Sequence, residues 1–475
     1  MKDIMLFNEE NRKNFKLRPV SQRLKDNRSV YKPLDEAIMA VQAGRCMTCG
    51  TTFCSFGCPL GNLISYWNEM TEDLDWKHAY NMLSRTSNFP EFTSRVCPAL
   101  CEASCNLGVN HEPVSIREVE YTIIEHAFKA GWVVPRIPKM KTGKKIAIIG
   151  SGPAGLAAAD ELTAVGHDCV VFERNAEPGG LMRYGIPNFK LEKEVIDRRI
   201  DVMKAAGVSF QMNTCVGEDV LPEALLKDFD VLVLTGGSTI PRDLRVEGRD
   251  LEGIYYAVDY LENHTKRLNN VDTNGVVIDA KDKNVLVIGG GDTGSDCIGT
   301  ANRQGAKTVY QIEIMPKPPK ERDASTPWPL YPRLYKETSS HKEGCIQNWE
   351  INTKRILGDT CVEKVVLERI QWINENGRMV MKPIEDSEFT LEVDIILLAM
   401  GFVSPQYEGM VESLGLKLDP RGNLLTDEKY QTSVAGVFTA GDMRSGQSLV
   451  VRAIKEGREV AKHVDEYLMG ETFIK

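Results

Sequence analysis

No stretch of about 18 consecutive apolar residues occurs in the 475-residue chain, so no membrane-spanning helix is expected. The opening residues, MKDIMLFNEENRKNFKLRPVSQRLKDNRS, hold no apolar core and do not read as a secretory signal. Basic residues are in deficit, 58 lysines and arginines against 67 aspartates and glutamates, for a net charge of −9. That balance, with no basic stripe interleaved with aromatics, argues against a nucleic-acid surface. Neither membrane nor nucleic acid is therefore expected as a partner, and the expected location is the cytoplasm, where thiols stay reduced and disulfides are rare. Twelve cysteines then need another explanation, at least where they cluster. Apolar content of 42% and charged content of 26% are ordinary for a globular protein, and the length suggests about two to four domains.

Residues 1–30 are charged and aperiodic and read as an arm that orders only against a partner. Helical patterning follows over Leu34–Ala43, Leu60–Glu69, Trp76–Ser84 and Ile116–Lys129, separated by cysteine-bearing loops. Pro135, Pro138 and the lysines at 139, 141, 144 and 145 mark a solvated linker. The texture then changes. The apolar run Ile146–Ile149 leads into Gly150-Ser-Gly-Pro-Ala-Gly155, a helix, and a second strand ending at Glu173. The pattern restarts at Val285–Ile288, about 140 residues on, so the chain holds a diverged internal duplication. Strands alternating with helices in this way imply parallel, doubly wound sheets. Between Met315 and Glu343 lies a loop with prolines at 316, 318, 319, 327, 329 and 332; a loop that long reads as functional or as a partner surface, with a plain surface excursion the other possibility.

Each glycine turn follows an apolar strand and opens a helix, the context that a phosphate-binding turn requires. Gly150 permits the tight turn, Gly152 lets the backbone approach a pyrophosphate, and Gly155 lets helix and strand pack closely, with Pro153 and Ala154 at the helix start. Helix N–H groups and the positive dipole end then face the phosphates. Glu173, 23 residues after Gly150, is placed to accept both ribose hydroxyls, and Arg174 follows it. The second copy, Gly289-Gly290-Gly291-Asp292-Thr293-Gly294, makes the same case. Asp292 would repel a phosphate and is expected to face the flavin side or to cap the helix. Two such sites call for FAD and either NADPH or NADH, since hydride must pass between nicotinamide and flavin. Glu313 stands where a ribose-binding acid would repel a 2′-phosphate, or it points into solvent. Arg303, Lys317, Lys320 and Arg322 lie near enough in sequence to offer a 2′-phosphate site instead, and both nucleotides stay open.

Seven cysteines crowd between 46 and 105: Cys46-x2-Cys49-x4-Cys54-x3-Cys58, then Cys97-x3-Cys101-x3-Cys105. The five others (169, 215, 297, 345, 361) are scattered and read as free thiols. Zinc takes four thiolates, usually from paired CxxC knuckles, and only one CxxC is present. Iron–sulfur cubanes are also held by short-spaced thiolates and make electrochemical sense beside a flavin, so they rank above zinc, with a disulfide framework below both.

At this point a resemblance adds to the reading. GSGPAGLAAA, PGGLMRYGIP (178–187), LVLTGG (232–237), LLAMGF (397–402) and TAGD (439–442) are similar to the two-dinucleotide flavin oxidoreductases. The resemblance implies FAD contacts at Gly180, Leu181 and Arg183, at Gly441 and Asp442 on the ribityl side, and at Ser448 and Leu449, where a helix points its N-terminus at the flavin. RCMTCGTTFCSFGCPLGNLI, VCPALCEASCNLG and PVSIREVEYTI resemble the N-terminal domain of the glutamate synthase small subunits and their dihydropyrimidine dehydrogenase relatives. That family interleaves its ligands. Carried over, Cys46, Cys49, Cys54 and Cys105 would hold one [4Fe–4S] cluster, and Cys58, Cys97, Cys101 and Glu120 the other. GGGDTGSDCIGTANRQGAKTVYQIEIMPKPP, with SSHKEG downstream, is most similar to the glutamate synthase branch.

The expected architecture is α/β: a helical iron–sulfur domain (1–140), then two doubly wound Rossmann-like domains, the second inserted into the first. FAD is expected in 141–275 and 395–475, and NAD(P) in 276–394. No N-terminal cysteine nucleophile for glutamine hydrolysis and no FMN barrel are seen. The resemblance thus implies the electron-input half of a complex, whose large subunit carries the glutamine amidotransferase and FMN parts and makes glutamate from glutamine and 2-oxoglutarate. Still open are a ferredoxin-linked or pyrimidine-reducing partner, a stand-alone diaphorase, and a non-catalytic scaffold.

Overall fold

The computed structural model describes residues 6–271, 273 and 275–474. Helices Glu36–Ala43, Ile64–Glu72, Trp76–Leu83, Pro90–Val96 and Ile116–Lys129 form the N-terminal unit around Met39, Ile64, Trp67, Leu83, Val119 and Ile123, all essentially inaccessible to solvent. The helix expected from Leu60 starts at Ile64 because Gly61 takes φ +62°, a left-handed conformation that a helix cannot include. Helix Pro90–Val96, unforeseen in the sequence, joins this unit to the next. Phe89 and Phe92 enter the core of the first dinucleotide unit, and Glu91 pairs with Arg199 in the interior at 2.5 Å.

The N-terminal arm departs from expectation, since residues 6–32 lie against their own chain; residues 1–5 fall outside the described residues. Lys16–Leu17 pairs with Tyr31–Lys32, and the Val30 N–H donates to the Phe189 carbonyl. Arg23, only 2% exposed, meets Glu343 at 2.8 Å, and Arg303 holds the same carboxylate at 2.6 Å. Charges that look solvated in the sequence are buried here because an opposite charge meets each of them.

Two five-stranded parallel sheets follow. The first runs Val437–Thr439, Val231–Leu234, Lys145–Ile149, Asp168–Phe172, Ser209–Gln211; the second runs Ile346–Trp349, Thr308–Glu313, Asn284–Ile288, Ile395–Leu398, Ile254–Tyr256. Val231–Leu234 and Ile395–Leu398 are buried at every position, as strands covered on both faces must be. Strands 254–256 and 395–398 thus pair in the second sheet, although the sequence reading grouped them with the first unit. An antiparallel ribbon, Ile240–Pro241 against Phe402–Ser404, carries the chain between the units. An antiparallel insert over residues 351–392 has no counterpart in the sequence reading. Among the described residues no helix is long and apolar enough to cross a membrane.

Helix Ala257–Leu268 carries His264 between the Gln304 amide, which donates to its Nδ1 at 3.0 Å, and the Asn27 Oδ1 at 3.4 Å. Burial, with Arg267 beside it, pushes this imidazole down to about 4. The unfolded chain binds its proton near 6.5 and the native state does not, so the contribution is complete above that pH. It is lost as pH falls from about 6.5 towards 4. His264→Gln is expected to flatten that limb of the stability curve by at most about 3 kcal/mol, read from denaturant midpoints at stepped pH.

Candidate functional site

The two glycine turns repeat one geometry. Gly150 and Gly289 take φ of +103° and +124°, and a Cβ on either would meet a neighbouring strand's carbonyl at 2.6 or 2.3 Å. A Cβ on Gly155 or Gly294 would strike the carbonyl of that first glycine, at 2.0 and 2.4 Å. Gly152 and Gly291, by contrast, face open space at the N-caps of helices Pro153–Ala164 and Asp292–Gln304. A bare backbone facing an open space at a helix N-terminus fits a pyrophosphate.

Each turn is closed by its acid. Glu173 accepts from the Ser151 N–H and hydroxyl at 3.1 and 2.6 Å, and from the Asn175 N–H at 2.9 Å. Glu313 accepts from the Gly290 N–H at 2.5 Å and the Met315 N–H at 3.0 Å, so it faces the turn and not solvent. Asp292 is the first residue of its helix; exposed toward the cleft, it supports the charge of Lys190.

The first turn opens into a cavity of about 480 Å³ lined by Gly150, Gly152, Pro153, Ala154, Glu173, Arg174, Gly180, Leu181, Asp442, Ser448 and Leu449. Burial raises Asp442 to about 6, and the Ser448 hydroxyl donates to it at 3.4 Å. Gly155 and Gly441 lie behind this wall. Arg183 also stays out of the cavity, donating to the Pro178 carbonyl at 2.6 Å and pairing with Asp197, so that it braces the 178–180 turn. The second turn opens into a cleft of about 1480 Å³ lined by Gly289, Gly290, Gly291, Asp292, Thr293 and Glu313. Leu181, Thr293, Asp442, Ser448 and Leu449 border both spaces, so the two open onto each other.

The seven clustered cysteines are free, and the charges that bear on them divide along lines that cross the sequence segments. Burial raises Cys54 to about 12, and the charges that add to it are those of Cys105, Cys46 and Cys49. Cys58, also raised to about 12 by burial, feels Glu120 and Cys97, and half-buried Cys101, likewise raised, feels Cys58, Cys97 and Glu120. Glu120 is therefore not a solvated helix residue: burial raises it to about 8, and the Thr93 hydroxyl donates to it at 2.6 Å.

Thr48 and Ala99, two residues beyond Cys46 and Cys97, adopt φ of +47° and +61°, a conformation that costs a side-chain-bearing residue energy. Cys46, Cys54, Cys58, Cys97 and Cys101, held neutral by burial, fit a cationic iron–sulfur group that ionises them. Among the described residues no three His, Cys, Asp or Glu side chains converge on a single ion.

The proline-rich excursion joins these sites. One side, Tyr331 to Lys342, lines the cleft. The other covers the cysteine loops: the Ser104 hydroxyl donates to the Pro329 carbonyl at 2.8 Å, Arg322 to that of Ala103, and Trp328 packs on Phe53 at 4.7 Å. Trp328→Ala is expected to speed iron loss to a chelator several-fold while flavin content stays constant. Ser151, Thr235, whose hydroxyl ties the Ile149 and Gly150 carbonyls, and the Lys190–Asp296 pair in the cleft were not singled out in the sequence. Ser151 and Thr235 lie inside recognised motifs, GSGPAG and LVLTGG, and that was the available signal.

Comparison with known proteins agrees with this layout. Residues 144–457 match the family model of pyridine nucleotide-disulphide oxidoreductases, and residues 23–132 that of dihydropyrimidine dehydrogenase domain II, 4Fe-4S cluster. A Mycobacterium tuberculosis protein named glutamate synthase [NADPH] small chain is 48% identical, over 97% of this chain and 95% of its own. Glutamate synthase [NADH] of Schizosaccharomyces pombe is 45% identical over 95% of this chain, which spans 22% of that longer protein. The fold also matches Mycobacterium tuberculosis FprA in complex with NADPH, with TM-score 0.55 at 17% identity, over 69% of this chain and 85% of that one. The chain belongs to the glutamate synthase small-chain family.

Proposed function

We propose that this chain is the electron-input half of a glutamate synthase. It takes hydride from a nicotinamide dinucleotide and delivers single electrons to a large subunit that makes glutamate from glutamine and 2-oxoglutarate. FAD is assigned to the first cavity, the nicotinamide dinucleotide to the second cleft, and two [4Fe–4S] clusters to the two thiol groups, with Glu120 completing the second. The domain division follows, 1–140 for the clusters and 141–475 for the two dinucleotides, with strands 254–256 and 395–398 counted to the second dinucleotide unit.

One observation carries the reading. The cleft of the second glycine turn shares Leu181, Ser448 and Leu449 with the first cavity and is also lined by Cys97 of the second thiol group. Hydride donor, hydride acceptor and a one-electron site thus meet around one space. Bound FAD supplies the exchange of two-electron for one-electron traffic. The chain itself would hold the pyrophosphates at two helix N-termini, keeps both ribose-side acids in place, and brings the two cysteine segments together. Cys49 of the other group is only partly buried, next to exposed Gly50, and marks the way out. The Schizosaccharomyces pombe relative supports a large-subunit partner, because the remainder of that single polypeptide would correspond to it. The location is the cytoplasm.

Reconstitution tests the proposal. Glutamate formation from glutamine and 2-oxoglutarate is expected only when the large subunit, this chain and a reduced nicotinamide dinucleotide are all present. Rapid bleaching of the flavin band without glutamate in any mixture, but with reduction of ferredoxin or a pyrimidine, would reassign the partner.

A further inference from the structure

We infer that the second site selects NADH over NADPH, and that Glu313 is the residue that decides it; this rests on assigning the nicotinamide dinucleotide to that cleft. Glu313 ends strand Thr308–Glu313, which runs parallel to Asn284–Ile288, so it stands beyond the carboxyl end of the sheet next to the glycine turn. A dinucleotide with its pyrophosphate on helix Asp292–Gln304 brings its adenosine ribose to this position. The first copy sets the standard. Glu173 occupies the same position, with Oε2 on the N–H of the residue after the first glycine and Oε1 on the N–H two residues further along the chain. Glu313 repeats both contacts, with the N–H groups of Gly290 and Met315. It lies so close on the turn that a Cβ at Gly290 would come within 2.6 Å of its Oε2. A carboxylate anchored at both oxygens cannot swing aside, and a 2′-phosphate would share its space and its sign of charge.

Of the four cations near in sequence that could reverse this preference, two are committed elsewhere. Arg303 is buried against Glu343, with its guanidinium 3.7 Å above the Phe189 ring. Arg322 donates to the Thr326, Leu330 and Ala103 carbonyls on the cluster side. Lys317 remains near the rim, held 4.6 and 4.4 Å from the rings of Tyr335 and Trp349, Lys320 is exposed beside it in sequence, and Arg242, Arg333, Lys336 and Lys342 line the cleft; these are the competitors that the experiment must address. The names of the relatives do not decide the matter, since both [NADPH] and [NADH] occur among them.

The test uses the FAD-loaded chain and needs no turnover. Dissociation constants are measured by calorimetry for NAD+ and NADP+, and for the fragments 5′-AMP and 2′,5′-ADP, which report on the ribose corner alone. The wild type is expected to bind the ligands lacking the 2′-phosphate at least about tenfold more tightly. Glu313→Gln, which keeps the shape and removes the charge, is expected to bring the two classes within about threefold, and Lys317→Ala to leave the preference unchanged. Tighter binding of NADP+ and 2′,5′-ADP by the wild type, whether or not it is lost in Lys317→Ala, would overturn the inference while leaving the site assignment intact. Binding of neither class would remove the site assignment itself.

Discussion

Gly152→Val is expected to fold with its iron in place and to carry no more than about a tenth of the wild-type flavin. The backbone there has φ −65° and ψ 176°, which any residue adopts, and no atom lies within 4 Å of the added Cβ. Little strain is therefore introduced, and the melting temperature of the cofactor-free chain should stay within a few degrees of that of the cofactor-free wild type. What changes is the floor on which a pyrophosphate must rest. Gly291→Val is the matching experiment in the second copy. It should retain flavin but lose most of its bleaching by reduced nicotinamide dinucleotide. Gly155→Val supplies the contrast, because its Cβ would lie 2.0 Å from the Gly150 carbonyl oxygen and the helix would have to move. That variant is expected to lose both flavin and stability, by about 1–3 kcal/mol. A Gly152→Val chain that keeps its flavin would show that the first cavity binds something other than a dinucleotide.

The glycine turns were legible in the sequence because their constraint is local: strand, turn, helix and acid lie within about 25 residues, and every part must be present for the phosphates to be held. Helix Ile116–Lys129 was legible for a related reason, its apolar face recurring with helical period. The thiol grouping was of another kind. Spacing alone showed a cluster, but whether Cys54 keeps company with Cys58 or with Cys105 depends on how two loops are brought together, and only the family resemblance suggested the crossing. Arg183 lies in a motif that the sequence displays, but the direction of its side chain is not legible there; the guanidinium turns to Pro178 and Asp197 and away from the cavity. The arm was misjudged on charge. Arg23 is buried only because Glu343, far along the chain, comes to meet it, and no local pattern announces such a pairing. Strand 395–398 is apolar throughout, which says that it is covered on both faces but not which sheet it joins.

The crossed grouping gives the second large effect. If the clusters interleave, Cys54→Ser and Cys105→Ser disable the same one, and the double variant should keep about half of the iron, as each single variant does. Cys54→Ser combined with Cys58→Ser, although the two stand four residues apart, should lose nearly all of it. Ligation by sequence segment, with residues 46–58 on one cluster and 97–105 on the other, reverses both results, so iron analysis of the two double variants separates the alternatives. The structure favours crossing because Cys54 feels the charges of Cys105, Cys46 and Cys49, whereas Cys58 feels Glu120 and Cys97. In every variant the flavin should still be bleached by reduced nicotinamide dinucleotide and still reduce small soluble dyes, because the dinucleotide cavities border the cysteine segments without being built from Cys54, Cys58 or Cys105. Glutamate formation with the large subunit should fall at least about a hundredfold in each, since removing either cluster breaks a single relay. Loss from Cys54→Ser alone, with Cys58→Ser retaining full delivery, would mean that electrons leave the flavin without passing the group that borders the cleft.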